Sequence, residues 1–269
     1  MKKILITGDH SYIGTSFQNY IKENYSEAYI IDTVDMIDGS WCLKSFAEYD
    51  SVFHVAGIAH QKETRNNAHQ YYRVNRDLAV ETARKSKADG VKQIVFLSSM
   101  SVYGMDTGVI TRDTTPNPKS HYGMSKWQAE QEMASLSDEN FAVCILRPPM
   151  VYGHGCKGNY QTLVKLAEIL PVLPNYANRR SMVSIDRLAE YVKQCIDTNA
   201  AGIFVPQNED YVCTSEMIMQ IRRDMGKRFI AVKMLNPFIK LCVKCTTKGR
   251  KAFGDLIYKD IDQLSEKEK

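Results

Sequence analysis

The sequence predicts an α/β protein built on a doubly wound parallel sheet, with a small carboxyl-terminal lobe. Three observations carry this. Short apolar runs alternate with longer helical patterns from Lys3 to Leu146, the rhythm of parallel strands covered on both faces. A glycine-containing turn joins the first run to the first helix, where such sheets bind ligands. After Pro148-Pro149 the pattern loosens, which sets the lobe apart.

The elements follow in order. Residues 3–7 read as a strand, Tyr12 to Asn24 as a helix, and Tyr29–Thr33 and Val52–Val55 as the next two strands. A long helical stretch, 66–88, leads to a strand at Gln93–Leu97, and a helix at 122–136 leads to the strand Phe141–Leu146. The glycines of Gly153–Gly158 predict a loop, and 160–170 a helix. Ser181–Ile185 and Gly202–Val205 read as short strands around a helix that runs to Ile196, with Asp186 as its N-cap. Residues 215–269 are expected to be mostly helical, with a frayed polar end at Ser265–Lys269.

A chain of 269 residues accommodates one large domain, or a domain and a lobe. Its net charge of +4 is too small to argue for nucleic acid and suits a small anionic substrate. Seven scattered cysteines read as reduced thiols, which points to the cytoplasm. Cys242 and Cys245 form one CxxC without a second pair, read as a helix face carrying two thiols, so no metal site is expected. The run Ile4–Ile6 is too short for a signal peptide, and no stretch approaches a membrane span. Residues 227–251 are strongly basic, with Lys233, Lys240, Lys244, Lys248, Arg250 and Lys251 around Phe238, Ile239, Leu241 and Val243. This segment reads as a solvated helix packed by its apolar side, or alternatively as one resting weakly on an anionic membrane surface.

The turn Thr7-Gly8-Asp9-His10-Ser11-Tyr12-Ile13-Gly14 lies where the free N–H groups and dipole of a helix N-terminus favour a pyrophosphate. Ser11 stands at a middle position where glycine would let a backbone approach closely. About 20 residues on, an acidic side chain is expected to hold ribose hydroxyls and to repel a 2′-phosphate. Asp32 and Asp35 are both in range; Asp32 is preferred for the ribose, with Asp35-Met36 as neighbours of the adenine.

Tyr122 and Lys126 are one helical turn apart, so both lie on one face. A phenol ordinarily titrates near pH 10, and a nearby ammonium lowers that toward a working general base. Upstream, Ser98 and Ser99 follow the fourth strand and place hydroxyls at the carboxyl end of the sheet.

Six signatures occur in order: the turn 7–14, His54-Val55-Ala56-Gly57, Val74-Asn75, Ser98-Ser99 with Val102-Tyr103-Gly104, Tyr122 with Lys126, and Leu146-Arg147-Pro148 with Tyr152-Gly153. Together they resemble the extended short-chain dehydrogenase/reductases. The resemblance is specifically to the NAD-dependent nucleotide-sugar epimerases and 4-ketoreductases of the UDP-glucose 4-epimerase type. It implies a Rossmann-like NAD-binding domain over residues 1–153, completed by about 181–207, and a substrate lobe from 154–180 and 208–269.

In that reading NAD lies along Gly8, Ser11, Tyr12, Ile13 and Gly14. Asp32, Asp35 and Met36 serve its adenosine end. Val55, Ala56 and Gly57 let it lie flat over the sheet, Asn75 and Ser98 support it, and Pro148 lines the nicotinamide side. Lys126 bonds the nicotinamide ribose, while Ser99 and Tyr122 flank the reacting sugar hydroxyl. Asn159 and Arg180 hold the diphosphate of a UDP-sugar, with the adjacent Arg179 as the alternative. Asn75 and His54 also admit plain structural readings, as a backbone bridge and a buried strand residue, and His60 is open between loop and substrate contact.

The implied chemistry is oxidation at C4 of the sugar, completed as epimerisation or left as a 4-ketoreductase or dehydrogenase step, in glycan precursor synthesis. A 4,6-dehydratase is not expected, because Met100-Ser101 stands where such enzymes carry Asp-Glu. A non-catalytic NAD-binding module, a partner in a glycan-assembly complex, and a homodimer are the remaining alternatives.

Overall fold

Six parallel strands form the centre of the molecule, in a computed structural model that describes residues 1–59 and 61–261. The chain runs β1 (Lys2–Thr7), α1 (Tyr12–Asn24), β2 (Tyr29–Val34), β3 (Ser51–His54), α2 (Ala68–Tyr72), α3 (Leu78–Ala88) and β4 (Gln93–Leu97). It continues through β5 (Gly108–Ile110), α4 (His121–Ala134), β6 (Ala142–Leu146), β7 (Met150–Tyr152), α5 (Asn159–Ile169), β8 (Val172–Pro174) and β9 (Met182–Ser184). Then follow α6 (Ile185–Asp197), β10 (Gly202–Phe204), α7 (Thr214–Asp224), β11 (Ile230–Val232), α8 (Asn236–Cys245), α9 (Thr247–Phe253) and β12 (Leu256–Tyr258). The central sheet has the order β10-β6-β4-β3-β1-β2. Its winding reverses between β1 and β3, and the carboxyl ends of those strands open the crevice where such sheets take ligands.

Alternation along β1 shows how the core forms. Ile4 and Ile6 point to one face, where Phe17 and Ile21 of α1 and Leu188, Val192 and Ile196 of α6 cover them. Leu5 points to the other, against Val80 and Ala83 of α3 and Ala129 and Met133 of α4. Because both faces are covered, β3, β4 and β6 are buried at every position, which is why they read as continuous apolar runs. A separate cluster of Leu163, Ala167, Leu173, Ile218, Met219 and Ile221 holds α5, α7 and β8 together in the lobe.

The structure corrects one expectation and adds detail to two others. β9 does not enter the central sheet; it pairs with β7, while β10 takes the sheet edge. Ser184, not Asp186, caps α6, accepting from Arg187 N at 3.2 Å, and Asp186 lies in the first turn, where its charge meets the helix dipole. The carboxyl-terminal segment is mostly helical over its described residues, as expected, and adds two short strands that were not expected, since β11 pairs with β8 and β12 with β5. Three-residue strands carry no periodicity, and only their distant partners make them strands. The end at Ser265–Lys269 lies outside the described residues.

Candidate active site

The crevice is built first by the turn after β1. Gly8 adopts φ +97°, and a side chain there would lie 2.9 Å from Ala56 Cα, so this turn and the backbone after β3 touch. Ser11 is the N-cap of α1, its Oγ accepting from Gly14 N at 3.2 Å. The serine in the glycine position thus satisfies one helix donor itself and leaves the others facing outward. The Tyr12 hydroxyl donates to His154 O at 3.0 Å, and burial pushes its phenol up to about 12. Ile13 packs on the sheet core. An open cleft of about 410 Å³ lies alongside, lined by His10, Tyr12, His154 and Lys157 among others.

The second strand separates the two acidic candidates. Thr7, the last residue of β1, pairs with Val34, and Gly8 N donates to Val34 O at 3.0 Å. Asp35 is therefore the residue level with the turn. Asp32 pairs with Leu5, further back in the sheet, and accepts from the Tyr49 hydroxyl at 2.8 Å. The Met36 side chain is buried with Leu5, Trp41 and Phe46.

The catalytic candidates come from three elements. Ser99 follows β4 and caps a 3₁₀ turn, Met100–Tyr103, accepting from Ser101 N at 3.1 Å. That turn is held against the end of β6 by Met100 N donating to Pro148 O at 2.9 Å. Tyr122 and Lys126 lie on α4, whose N-cap is Ser120. Burial raises the Tyr122 phenol above its ordinary value, and a hydrogen bond with the Ser99 hydroxyl works against that rise. Lys126 Nζ donates to Leu97 O at 2.8 Å and lies 4.6 Å from the centre of the Phe96 ring. Burial lowers it to about 7, opposed by the charge of Glu130. The pull on the phenol toward ionisation thus comes from Ser99, and Lys126 stands ready to change charge near neutrality.

Asn75 is fully buried in a π-helical turn, Arg73–Asp77, a widening often found at functional positions. Its Oδ1 accepts from Ile58 N at 2.7 Å, and its Nδ2 donates to Ile58 O at 3.0 Å and Ser125 Oγ at 3.3 Å. It thereby ties the loop after Gly57 to α4. A side chain at Gly57 would sit 3.0 Å from Asn75 Oδ1 and 3.4 Å from Lys126 Nζ. This bare backbone, with the Gly8 turn and the helix donors, fits a flat dinucleotide lying from Asp35 to Lys126. Val55 and Ala56, just before Gly57, are buried.

His54 is a buried strand residue. Its Nδ1 hydrogen-bonds Thr7 Oγ1 at 2.8 Å, and its Nε2 is buried without a partner among the described residues. Burial, with the charge of Lys126, lowers it to about 3, so it is neutral at ordinary pH. His60 lies outside the described residues.

Several supporting residues were not expected from sequence. Glu63 accepts from His121 N at 3.0 Å and Tyr122 N at 2.9 Å, capping the catalytic helix from a distant loop. Beneath the site, the Ser98 hydroxyl donates to Glu130, which is paired with Arg147 (Nη2 to Oε2, 2.6 Å). Arg147 Nη1 donates to the Tyr103 hydroxyl at 2.8 Å, and the Tyr258 hydroxyl of β12 donates to Arg147 O at 2.9 Å. The side chains of Ser98, Tyr103, Glu130, Arg147 and Tyr258 are all buried. The signal for Glu130 was present, since it lies one further turn beyond Lys126 on the same face of α4.

The expected diphosphate contacts share no hydrogen bond with this set among the described residues. Asn159 is exposed at the start of α5. Arg180 is half-buried, and its Nη1 donates to Gly254 O at 2.7 Å and Arg250 O at 3.3 Å, clasping the end of α9. Arg179 is exposed, with its guanidinium 5.9 Å from the Tyr211 ring centre. All seven cysteines are unpaired. Among the described residues, no cluster suited to a metal ion occurs, and no helix is long and apolar enough to cross a membrane.

The chain is similar to several known proteins. Over 251 residues the chain is 29% identical to a UDP-glucose 4-epimerase of Vibrio cholerae, covering 84% of this chain and 76% of that protein. It is 25% identical over 201 residues to the N-acetyl-alpha-D-glucosaminyl-diphospho-ditrans,octacis-undecaprenol 4-epimerase of Escherichia coli O157:H7, covering 72% of this chain and 60% of that one. A dTDP-4-dehydrorhamnose reductase of Clostridium acetobutylicum superposes with a TM-score of 0.70 at 20% identity, over 93% of this chain and 98% of that one. That last likeness is one of fold. The NAD dependent epimerase/dehydratase family model matches residues 4–182, and the chain belongs to that family.

Proposed function

We propose that the protein is an NAD-dependent epimerase acting at C4 of a nucleotide sugar, with UDP as the nucleotide, in glycan precursor synthesis. The observation that carries this reading is the placing of Ser99 just after β4 and of Tyr122 and Lys126 one turn apart on α4, with Lys126 Nζ bonded to Leu97 O at the end of β4. Asp35 holds the adenosine ribose, since the strand register sets it beside the turn and turns Asp32 toward Tyr49. Lys126 and Asn75 support the nicotinamide end, with Ser98 fixed beneath it. When bound, NAD supplies the hydride acceptor at the sugar carbon and returns that hydride to complete the epimerisation. Tyr122 accepts the proton of the C4 hydroxyl and later gives it back, and Ser99 holds the same oxygen by a hydrogen bond. The exposed Arg179 takes the substrate diphosphate, with Arg180 holding the backbone beside it.

A second reading has support of its own. Similarity to the undecaprenol-linked epimerase of Escherichia coli favours a sugar carried on a lipid diphosphate.

The test is conversion of UDP-glucose and UDP-N-acetylglucosamine to their C4 epimers by the purified chain with NAD, followed by chromatography. Tyr122→Phe should lower turnover about 10²–10⁴-fold while NAD affinity stays near wild type. Turnover by the variant within a few-fold of wild type overturns the assignment of the base.

A further inference from the structure

No residue of α8 is buried, although the helix carries Phe238, Ile239, Leu241 and Val243 beside two cysteines and two lysines. Its inner face, with Ile239, Cys242 and Val243, is half-buried against the lobe. Its outer face is the unusual one. Met234, in the turn before the helix, is followed by Phe238, Leu241 and Cys245 at steps of four, three and four, one stripe along a helix. Met234 is 86% exposed, Phe238 64% and Leu241 57%. Lys240 and Lys244 flank the stripe and are exposed, as are Lys233 before the helix and Lys248 after it. Ile230 pairs with Val172 in the adjoining strands, and both are exposed too, adding apolar surface to the same lobe.

Charge decides what this face meets. Residues 225–254 hold eight Lys or Arg and no Asp or Glu. Arg250 and Lys251 reach Asp106, and Lys227 donates to Glu168 O. Lys233, Lys240, Lys244 and Lys248 have no acidic partner among the described residues. A second copy of the chain would bring two segments of one sign together, which is unfavourable. An exposed apolar stripe flanked by lysines matches an anionic lipid bilayer instead: the apolar side chains enter the headgroup boundary, and the lysine stems lie along it with their ammonium groups at the phosphates.

We propose that the outer face of α8, with Lys233 and Lys248 at its margins, docks the lobe on an anionic membrane surface. The binding is peripheral and reversible. It requires neither cofactor nor substrate, so failure of the catalytic proposal leaves this one standing.

The experiment is co-sedimentation of the full chain with vesicles of phosphatidylcholine alone and of phosphatidylcholine with phosphatidylglycerol. Sedimentation is expected only with phosphatidylglycerol, and salt should weaken it. Lys240→Ala combined with Lys244→Ala should lower the partition coefficient about 25-fold, about fivefold for each lysine. Phe238→Ser should lower it about tenfold or more. The circular dichroism spectra and melting temperatures of these variants should match wild type, since the substituted side chains are exposed. No sedimentation with anionic vesicles at low salt overturns the proposal, as does binding that these variants do not change. A dimer in light scattering that Phe238→Ser dissociates, or retention on a soluble acidic polypeptide without vesicle binding, assigns the face to those partners and overturns it equally.

Discussion

His54 and the two arginines show how one side chain divides between stability and function. His54 is held neutral by burial, its value lowered from 6.5 to about 3. Between those values the unfolded chain binds a proton that the folded chain does not, so stability falls as pH falls through 6.5. At pH 5 this group should cost about 2 kcal/mol relative to pH 7. Urea midpoints of wild type and His54→Leu at both pH values check this: the loss on acidification should be smaller by about that amount in the variant. Arg180 and Arg179 should separate in the opposite sense from neighbours that share a role. Arg180→Ala leaves the Gly254 carbonyl without its side-chain donor and takes a second donor from Arg250 O, and should destabilise the fold by about 1–3 kcal/mol. Arg179→Ala should leave stability within about 0.5 kcal/mol and raise the KM for a UDP-sugar about tenfold. Unchanged KM in both variants, with turnover intact, removes the diphosphate role from this segment.

At the scale of elements, α4 is the part on which the site depends. It carries Tyr122 and Lys126 toward the crevice, and one turn later Glu130 joins the same helix to Arg147 at the end of β6. The pair is almost wholly removed from water, so deleting one partner leaves a buried charge. Glu130→Gln should therefore destabilise the protein by about 3–5 kcal/mol. Glu130→Leu together with Arg147→Met should cost clearly less than Glu130→Gln, because both charges leave together. Thermal or urea unfolding of the three proteins checks this, and a double variant as unstable as the single one refutes it. Glu130 also favours the charged form of Lys126, so its loss should move any activity limb governed by that lysine to lower pH.

The molecule as a whole places its ligand site where the winding of the sheet reverses, and folds its last strand back beneath that site. Leu256 and Tyr258 pack with Val102, Tyr103 and Ile110, so the carboxyl-terminal segment braces the turn that presents Ser99. Cofactor binding should consequently stabilise the entire fold. NAD at about 100 times its Kd adds about 2.7 kcal/mol, a rise of several degrees in Tm. NADP at the same concentration should give a much smaller rise, because the Asp35 carboxylate repels a 2′-phosphate. Equal shifts for the two cofactors in a thermal scan would exclude this use of Asp35.

By itself, the sequence determined the parallel α/β architecture, the turn between β1 and α1, and the placing of Ser99 after a strand and of Tyr122 and Lys126 one turn apart on a helix. These are legible because each depends on residues close in the chain: apolar runs of strand length, a turn between strand and helix, and two side chains one helical turn apart. Tertiary structure decided what local spacing leaves open. The register of β1 against β2 set Asp35, not Asp32, beside the turn. Pairing across long separations made strands of β11 and β12, whose three residues have no periodicity of their own. Distant carbonyls claimed Arg180, and a distant carboxylate, Glu63, capped the catalytic helix. In each case the deciding interaction joins residues far apart in the chain, and it exists only once the hydrophobic core has brought them together.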